Sequence, residues 1–293
     1  MSELPDRQFV TSASTSESLA SRWGALREVL AALGNGVPSV QATALWGSSR
    51  ALLVAAFARA THRTTLVVTA GEGERHRAAL DLQFLLSALY GDGAQSDQGW
   101  AAARVLEFPS AELSSWRGGR HREPDAERAL CCHRLLSGGP VPIVATPAAL
   151  SGPLLTPSEF RARTGRLAVG ESLPREDLLV LLDWAGYERV DTVVEVGQWS
   201  LRGGIVDIFS PAHEGPVRAE FAGDEVESLR LFDPTTQRSH APVAALDVLP
   251  LLVKGVGNGF KQGIQDLPVE VFPYSYVVEC NYWGIAHFTV SIP

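Results

Sequence analysis

The sequence predicts a two-domain α/β protein, with a parallel-sheet domain over 18–150 and a smaller α+β domain over 155–250. Three observations predict it. Strand and helix patterns alternate over 40–150, the order of a parallel sheet with crossover helices. Residues 186–239 instead read as short β runs separated by turn chemistry at Gly197, Gly203-Gly204, Ser210-Pro211, Gly215-Pro216 and Gly223-Asp224. Between the two, 151–165 is rich in Pro, Ser and Thr, the composition of a linker. At 293 residues the chain is long enough for both cores.

Residues 1–17 are polar and predict a loose tail. Leu19, Trp23, Leu26, Leu30 and Leu33 then fall on one helical stripe, ended by Gly34-Asn35-Gly36. Val40 to Trp46 reads as a strand. Arg50 to Ala60 reads as a helix apolar almost all round, hence buried. Thr65 to Ala70 and Glu74 to Tyr90 form the next strand and helix. Val105 to Phe108, Ala126 to Leu136 and Val141 to Thr146 continue the alternation as strand, helix and strand. Past the linker, Ser172 is the expected cap of a helix carrying Leu178, Leu181, Leu182 and Ala185 on one face, with Gly186 at its C′ position. Ile205 to Phe209 is a strand, with Val206 and Ile208 facing inward. Val217, Ala219 and Phe221 alternate with Arg218 and Glu220, and Gly223-Asp224 turns the chain into a second strand, Val226 to Phe232.

Residues 252–293 change character. All 23 arginines lie at or before Arg238, while both lysines, Lys254 and Lys261, lie beyond Leu252. This switch predicts a tail of unrelated origin. Alternation at Phe288, Val290 and Ile292 allows strands there.

Bulk composition excludes several classes. Apolar residues make up 45% and no run approaches the roughly 20 apolar residues of a membrane span, so no membrane role is expected. The N-terminus lacks a signal-peptide core, and the expected location is cytoplasmic. A net charge of −8 argues against tight non-specific DNA binding by the whole surface. It leaves room for a weak DNA contact through a local basic patch. Cys131, Cys132 and His133 are adjacent, poor geometry for one metal, with His121 the nearest extra ligand. No metal is expected. Asp224, Glu225, Glu227 and Asp233 sit at turns and on a wet strand face with no partner His, and read as solvated.

A nucleotide P-loop needs G-x-x-x-x-G-K-[ST] between strand and helix, because backbone N–H groups and the Lys hold the phosphates. Here the turn reads Trp46-Gly47-Ser48-Ser49-Arg50, without the second Gly or the Lys. Gly47, Ser48, Ser49 and Arg50 are thus a degenerate, P-loop-like turn. Arg50 is placed to meet an anion at the helix N-terminus; the simpler reading is that Ser48 or Ser49 caps the helix. No cofactor and no ATP hydrolysis are expected.

The β unit carries a more specific signal. Its runs are GYERVDTVVEVGQWSLRGGIVDIF and PVRAEFAGDEVESLRLFDPTTQRS. They resemble the UvrA-binding domain family shared by the bacterial transcription-repair coupling factor and the excision-nuclease subunit UvrB. The family pattern is GYxRVDxVxExGxFxxRGGIxDxFPP, then PxRxEFFGDExxSIRxFDxxTQRS. Trp199 replaces a Phe, and Ala222 replaces the second Phe of the EFF run.

The resemblance implies that the α+β domain is a UvrB-interaction domain whose partner is UvrA. It implies contact through two arginines and one aromatic: Arg202 of the RGG run, Arg218 of PVR, and the position now held by Ala222. A planar guanidinium suits such a contact because it binds carboxylates at two points. Beside this stands a plainer reading, surface arginines paired with Glu220 or Asp207 and worth little. Alternation leaves both arginines outside the core, so alanine at either is expected to spare the fold.

UvrB has an intact P-loop and a tyrosine-rich hairpin that clamps DNA, whereas no Tyr lies between Gly91 and Gly186 here. The chain therefore resembles the start of a coupling factor, with a first domain like domain 1a of UvrB. RNA polymerase is a partner implied only for full-length relatives, whose polymerase-binding and motor domains lie further along. The expectation is a protein-interaction module of nucleotide excision repair and not an enzyme. The alternatives are an ATP-dependent UvrB-like nuclease subunit, or a truncated remnant without function.

Overall fold

The computed structural model describes residues 28, 31, 39–42, 47–61, 63–90, 105–110, 123–138, 140–151, 154–251, 276–280 and 286–290. The predicted N-terminal helix lies largely outside the described residues, as does His121. The chain forms two compact units. One comprises Met1–Val105, Gly139–Val144 and Pro273–Pro293, the other Leu106–Gly138 and Ala145–Phe272. A division at 150 therefore differs from the compact units, which place the segment 106–138 in the second.

In the first unit, β1 (Ser39–Ala42) precedes α1 (Ser49–Thr61), and β2 (Thr65–Thr69) precedes α2 (Glu72–Tyr90). Val40 to Ala42 of the expected Val40 to Trp46 strand lie in β1, and residues 43–46 lie outside the described residues. Six consecutive residues of α1, Leu53 to Ala58, are buried, as an all-round apolar helix requires. Glu72 and Glu74 occupy the first turn of α2, where the helix dipole favours anions. The next strand of this unit lies at Pro142–Ala145 and the last two at Tyr276–Cys280 and Ala286–Val290. The Tyr276–Cys280 strand pairs parallel to β2, with Val278 opposite Val67. The Ala286–Val290 strand pairs antiparallel to it and to β1, with Phe288 opposite both Val278 and Val40. These two strands from the tail stand between β1 and β2 in the sheet.

The second unit begins with β3 (Leu106–Phe108) and α3 (Glu123–Ser137). Arg128 of α3 is fully buried, donates to the Pro109 carbonyl at 2.9 Å, and lies 4.4 Å over the Phe108 ring. It ties the exit of β3 to the helix. The Pro142–Ala145 strand is β4; α4 (Pro147–Ser151), α5 (Pro157–Arg163), β5 (Gly165–Ala168) and α6 (Arg175–Trp184) follow. The expected linker over 151–165 is thus corrected: residues Pro157–Arg163 of it form α5. Thr156 caps that helix, accepting from the Glu159 N–H at 3.3 Å, while the Glu159 carboxylate accepts from the Thr156 N–H at 2.9 Å. This reciprocal box outweighs the loop-like composition. Ser172 does not cap α6 either; Pro174 holds that position, and Ser172 bridges to Glu225 instead. The other end of α6 is as expected. Gly186 has φ 88°, its N–H reaches the Asp183 carbonyl, and the Tyr187 N–H reaches Leu182.

The β unit is an antiparallel meander from its second strand on, with the first strand paired parallel to the second. Its strands are β6 (Glu188–Arg189), β7 (Gln198–Arg202), β8 (Ile205–Ile208), β9 (Val217–Ala222), β10 (Glu225–Phe232) and β11 (Ser239–Pro242), adjacent in sequence order. A last strand, β12 (Ala245–Val248), pairs with β5. The inner face gives Trp199, Val206, Ile208, Val217, Ala219, Val226 and Leu229 to a core closed by Leu178, Leu182 and Ala185 of α6. Among the described residues no helix is long and apolar enough to cross a membrane.

Candidate functional site

Residues facing each other across an antiparallel pair share a face, as do residues two apart on one strand. The register opposes Ser200, Asp207, Arg218 and Arg230 in one row across β7 to β10. It opposes Arg202, Ile205, Glu220 and Ser228 in the next. With Val206, Ile208, Val217 and Ala219 in the core, these rows form the outer face of the sheet. Arg202 and Arg218 both lie on it.

Asp207 joins them. Its side chain is 1% exposed although it belongs to the outer face. The Asp207 Oδ1 accepts from Arg218 Nε at 2.8 Å, and Oδ2 accepts from Arg218 Nη2 at 2.9 Å and from Arg202 Nη2 at 3.1 Å. The two guanidiniums cover the carboxylate from solvent. Hydrogen bonding to Asp207 holds Arg218 charged to above the usual arginine range. Arg218 also donates through Nη1 to the Gln237 carbonyl at 3.3 Å and lies 4.8 Å over the Phe232 ring. Its side chain is 18% exposed, against 53% for Arg202. Arg218 is therefore not the surface arginine that alternation suggested: neighbours on three sides enclose it.

Local geometry supports this arrangement. Gly203 at φ 61° makes the two-residue turn between β7 and β8, directly after Arg202. A Cβ on Gly204 would come within 3.1 Å of the Phe221 carbonyl, a close approach that favours glycine there as well. On the other side, Asp233 Oδ1 accepts from the Thr235 and Thr236 N–H groups at 2.9 and 2.6 Å and closes the turn after β10. That turn puts Gln237 at φ 60° and aims its carbonyl at Arg218. The Gln237 amide then ties the turn to the Val193 carbonyl at 3.0 Å. Glu220 is engaged by Ser228, whose hydroxyl donates to it at 2.7 Å.

Ala222 is exposed at the end of β9, opposite Glu225 across the Gly223-Asp224 turn. Phe221 packs against the core cluster. The acidic residues Asp224, Glu225, Glu227 and Asp233 are all exposed. Among the described residues no group of three or more His, Cys, Asp and Glu is arranged to hold a metal. Cys131 is buried and its thiol donates to the Glu107 carbonyl at 3.4 Å; burial pushes the Cys132 thiol up to about 11.

The turn before α1 belongs to the first unit. Gly47 has φ 56°, and the Ser48 carbonyl accepts from Leu52 N–H at 2.9 Å. The Ser48 hydroxyl donates to Asp81 Oδ2 of α2 at 3.0 Å. A carboxylate this close places negative charge beside the turn, which opposes a phosphate there.

Residues 166–252 match the model of the UvrB interaction domain. The chain is 33% identical over 216 residues to the transcription-repair-coupling factor of Myxococcus xanthus, covering 72% of this chain and 17% of that protein. It is 30% identical over 226 residues to that of Bacillus subtilis (strain 168), covering 76% and 18%. The chain thus carries a UvrB interaction domain and is similar to transcription-repair-coupling factors over these segments. The coupling factor of Escherichia coli (strain K12) is 43% identical over 81 residues, 28% of this chain and 7% of that protein. The matched segments thus span less than a fifth of these coupling factors.

Sequence reasoning named Arg202, Arg218 and Ala222 and offered Asp207 as a pairing partner of the arginines without making it part of the site; it passed over Gln237. A signal for Asp207 was present: an acid at an outward position of the short strand IVDI, between two strands that each carry an outward arginine. Gln237 had none, because its role lies in the backbone carbonyl and a left-handed turn.

Proposed function

We propose that this chain binds UvrA through the outer face of β7 to β9 and serves as a protein-interaction module in transcription-coupled nucleotide excision repair. The observation that carries this reading is the Arg202–Asp207–Arg218 cluster at the center of the face. It presents an oriented, half-exposed guanidinium opposite Ile205, on the face that carries Ala222 at the end of β9. Such a surface suits a partner that brings a carboxylate. The family match over 166–252 supports the choice of partner. The turn at Gly47 to Arg50 is a degenerate nucleotide loop in this reading, supported by Asp81 at Ser48. The module acts by binding and not by hydrolysis, in the cytoplasm.

Titration of purified UvrA with the chain tests this. Wild type binds, and Arg202→Ala weakens binding at least about tenfold. Ala222→Phe tightens it, because the exposed strand end has room for a ring that buries apolar surface on the partner. Equal binding by wild type and Arg202→Ala places the interface elsewhere. Magnesium-dependent ATPase activity of the chain contradicts the non-enzymatic part of the reading.

A further inference from the structure

Arg202 and Arg218 do not use their donors alike. Arg218 spends Nε and Nη2 on Asp207 and Nη1 on the Gln237 carbonyl. Arg202 commits Nη2 alone, to Asp207 Oδ2, and its side chain stays 53% exposed. Its remaining N–H groups are available to a partner. A long side chain at a strand end beside a Gly-Gly turn would otherwise sample many rotamers, and ordering it would oppose binding.

Asp207 runs against simple charge matching. It subtracts one unit of positive charge from a face that meets an acidic partner. It is also 1% exposed, and a buried carboxylate is costly unless its oxygens are matched. Geometry accounts for it where charge does not. Both oxygens are occupied, and Arg218, wedged over Phe232, holds the carboxylate in place for Arg202.

We propose that Asp207 is the positioning residue of the interface, held by Arg218 and orienting the Arg202 guanidinium toward the partner's carboxylate. This rests on the UvrA reading.

The sign of one substitution separates positioning from charge. Asp207→Asn keeps the side-chain size and makes the face more positive by one unit. A face that worked by charge would bind an acidic partner more tightly. Positioning predicts binding about tenfold weaker. It also predicts coupling: Arg202→Ala costs at least about tenfold in the wild-type background but less than about threefold on Asp207→Asn. A merely structural Asp207 would leave the cost of Arg202→Ala unchanged.

The experiment is a UvrA titration of wild type, Asp207→Asn, Arg202→Ala and the double variant, with circular-dichroism melting to establish that each is folded. Arg202→Lys is the fifth protein, and decides the matter if Asp207→Asn does not fold. Its point charge cannot share Asp207 and reach the partner with the same fixed fork, so it binds about tenfold more weakly than wild type. Folded Asp207→Asn binding as well as wild type or better, an unchanged cost of Arg202→Ala, or Arg202→Lys binding like wild type overturns the proposal. No binding by wild type overturns the UvrA reading itself, and the positioning role with it.

Discussion

Asp207 and Arg218 form a two-point ion pair across β8 and β9, with the carboxylate 1% exposed and N–O distances of 2.8 and 2.9 Å. The pair sits on the outer face of the sheet, where alternation alone places solvated side chains. It makes the two arginines of the face unequal in burial and in the stability expected of each.

Arg218→Ala leaves Asp207 with Arg202 as its only guanidinium and uncovers a buried charge. The expected loss is about 3 kcal/mol. Arg202→Ala removes one hydrogen bond at a half-exposed side chain, with an expected loss of about 0.5 kcal/mol. Urea unfolding of both variants checks this, and equal midpoints would contradict the assigned geometry.

Two histidines set a pH dependence. Burial lowers the pKa of His133 and of His213 below the usual 6.5, with Asp247 pulling partly the other way in both. Below 6.5 the unfolded chain therefore binds more protons than the native one, so stability falls as pH drops through that value toward the depressed native pKa values. The melting temperature should decline from pH 7 to pH 5. A His133→Gln/His213→Gln double variant should flatten the decline, and an unchanged slope would assign it to other groups.

Thr156 anchors α5 through its capping box. Thr156→Ala should cost about 1 kcal/mol, read by chemical denaturation. A neutral result would return this segment to the linker that its composition suggested. Sequence and structure part here for a definite reason. T-P-S-E is a capping box and also a string of turn-forming residues, and only its packing through Phe160 against Ala129, Leu155 and Leu249 decides between them. Where one physical signal dominated, the structure was legible. The all-apolar α1, the Gly186 C′ cap and the two-residue turn at Gly223 all follow from single strong preferences. The site was half legible. Strand alternation placed Arg202 and Arg218 outward, but the shared carboxylate depends on cross-strand register, which alternation does not supply.

The tail strands make a distinct claim. Tyr276–Cys280 pairs with β2 on one side and with Ala286–Val290 on the other. A proline there removes a ladder donor and clashes with the neighbouring strand. Val278→Pro should therefore lower the melting temperature of the first unit. An unchanged melt would place these residues outside the sheet.

The central claim is that the arginine face recognises UvrA, and its most direct test is a titration of UvrA with wild type and Arg202→Ala, both first melted to establish that each is folded. Wild type is predicted to bind, with an affinity that falls as salt rises, and Arg202→Ala to bind at least about tenfold more weakly. Binding by wild type that Arg202→Ala matches at every salt concentration would contradict the account.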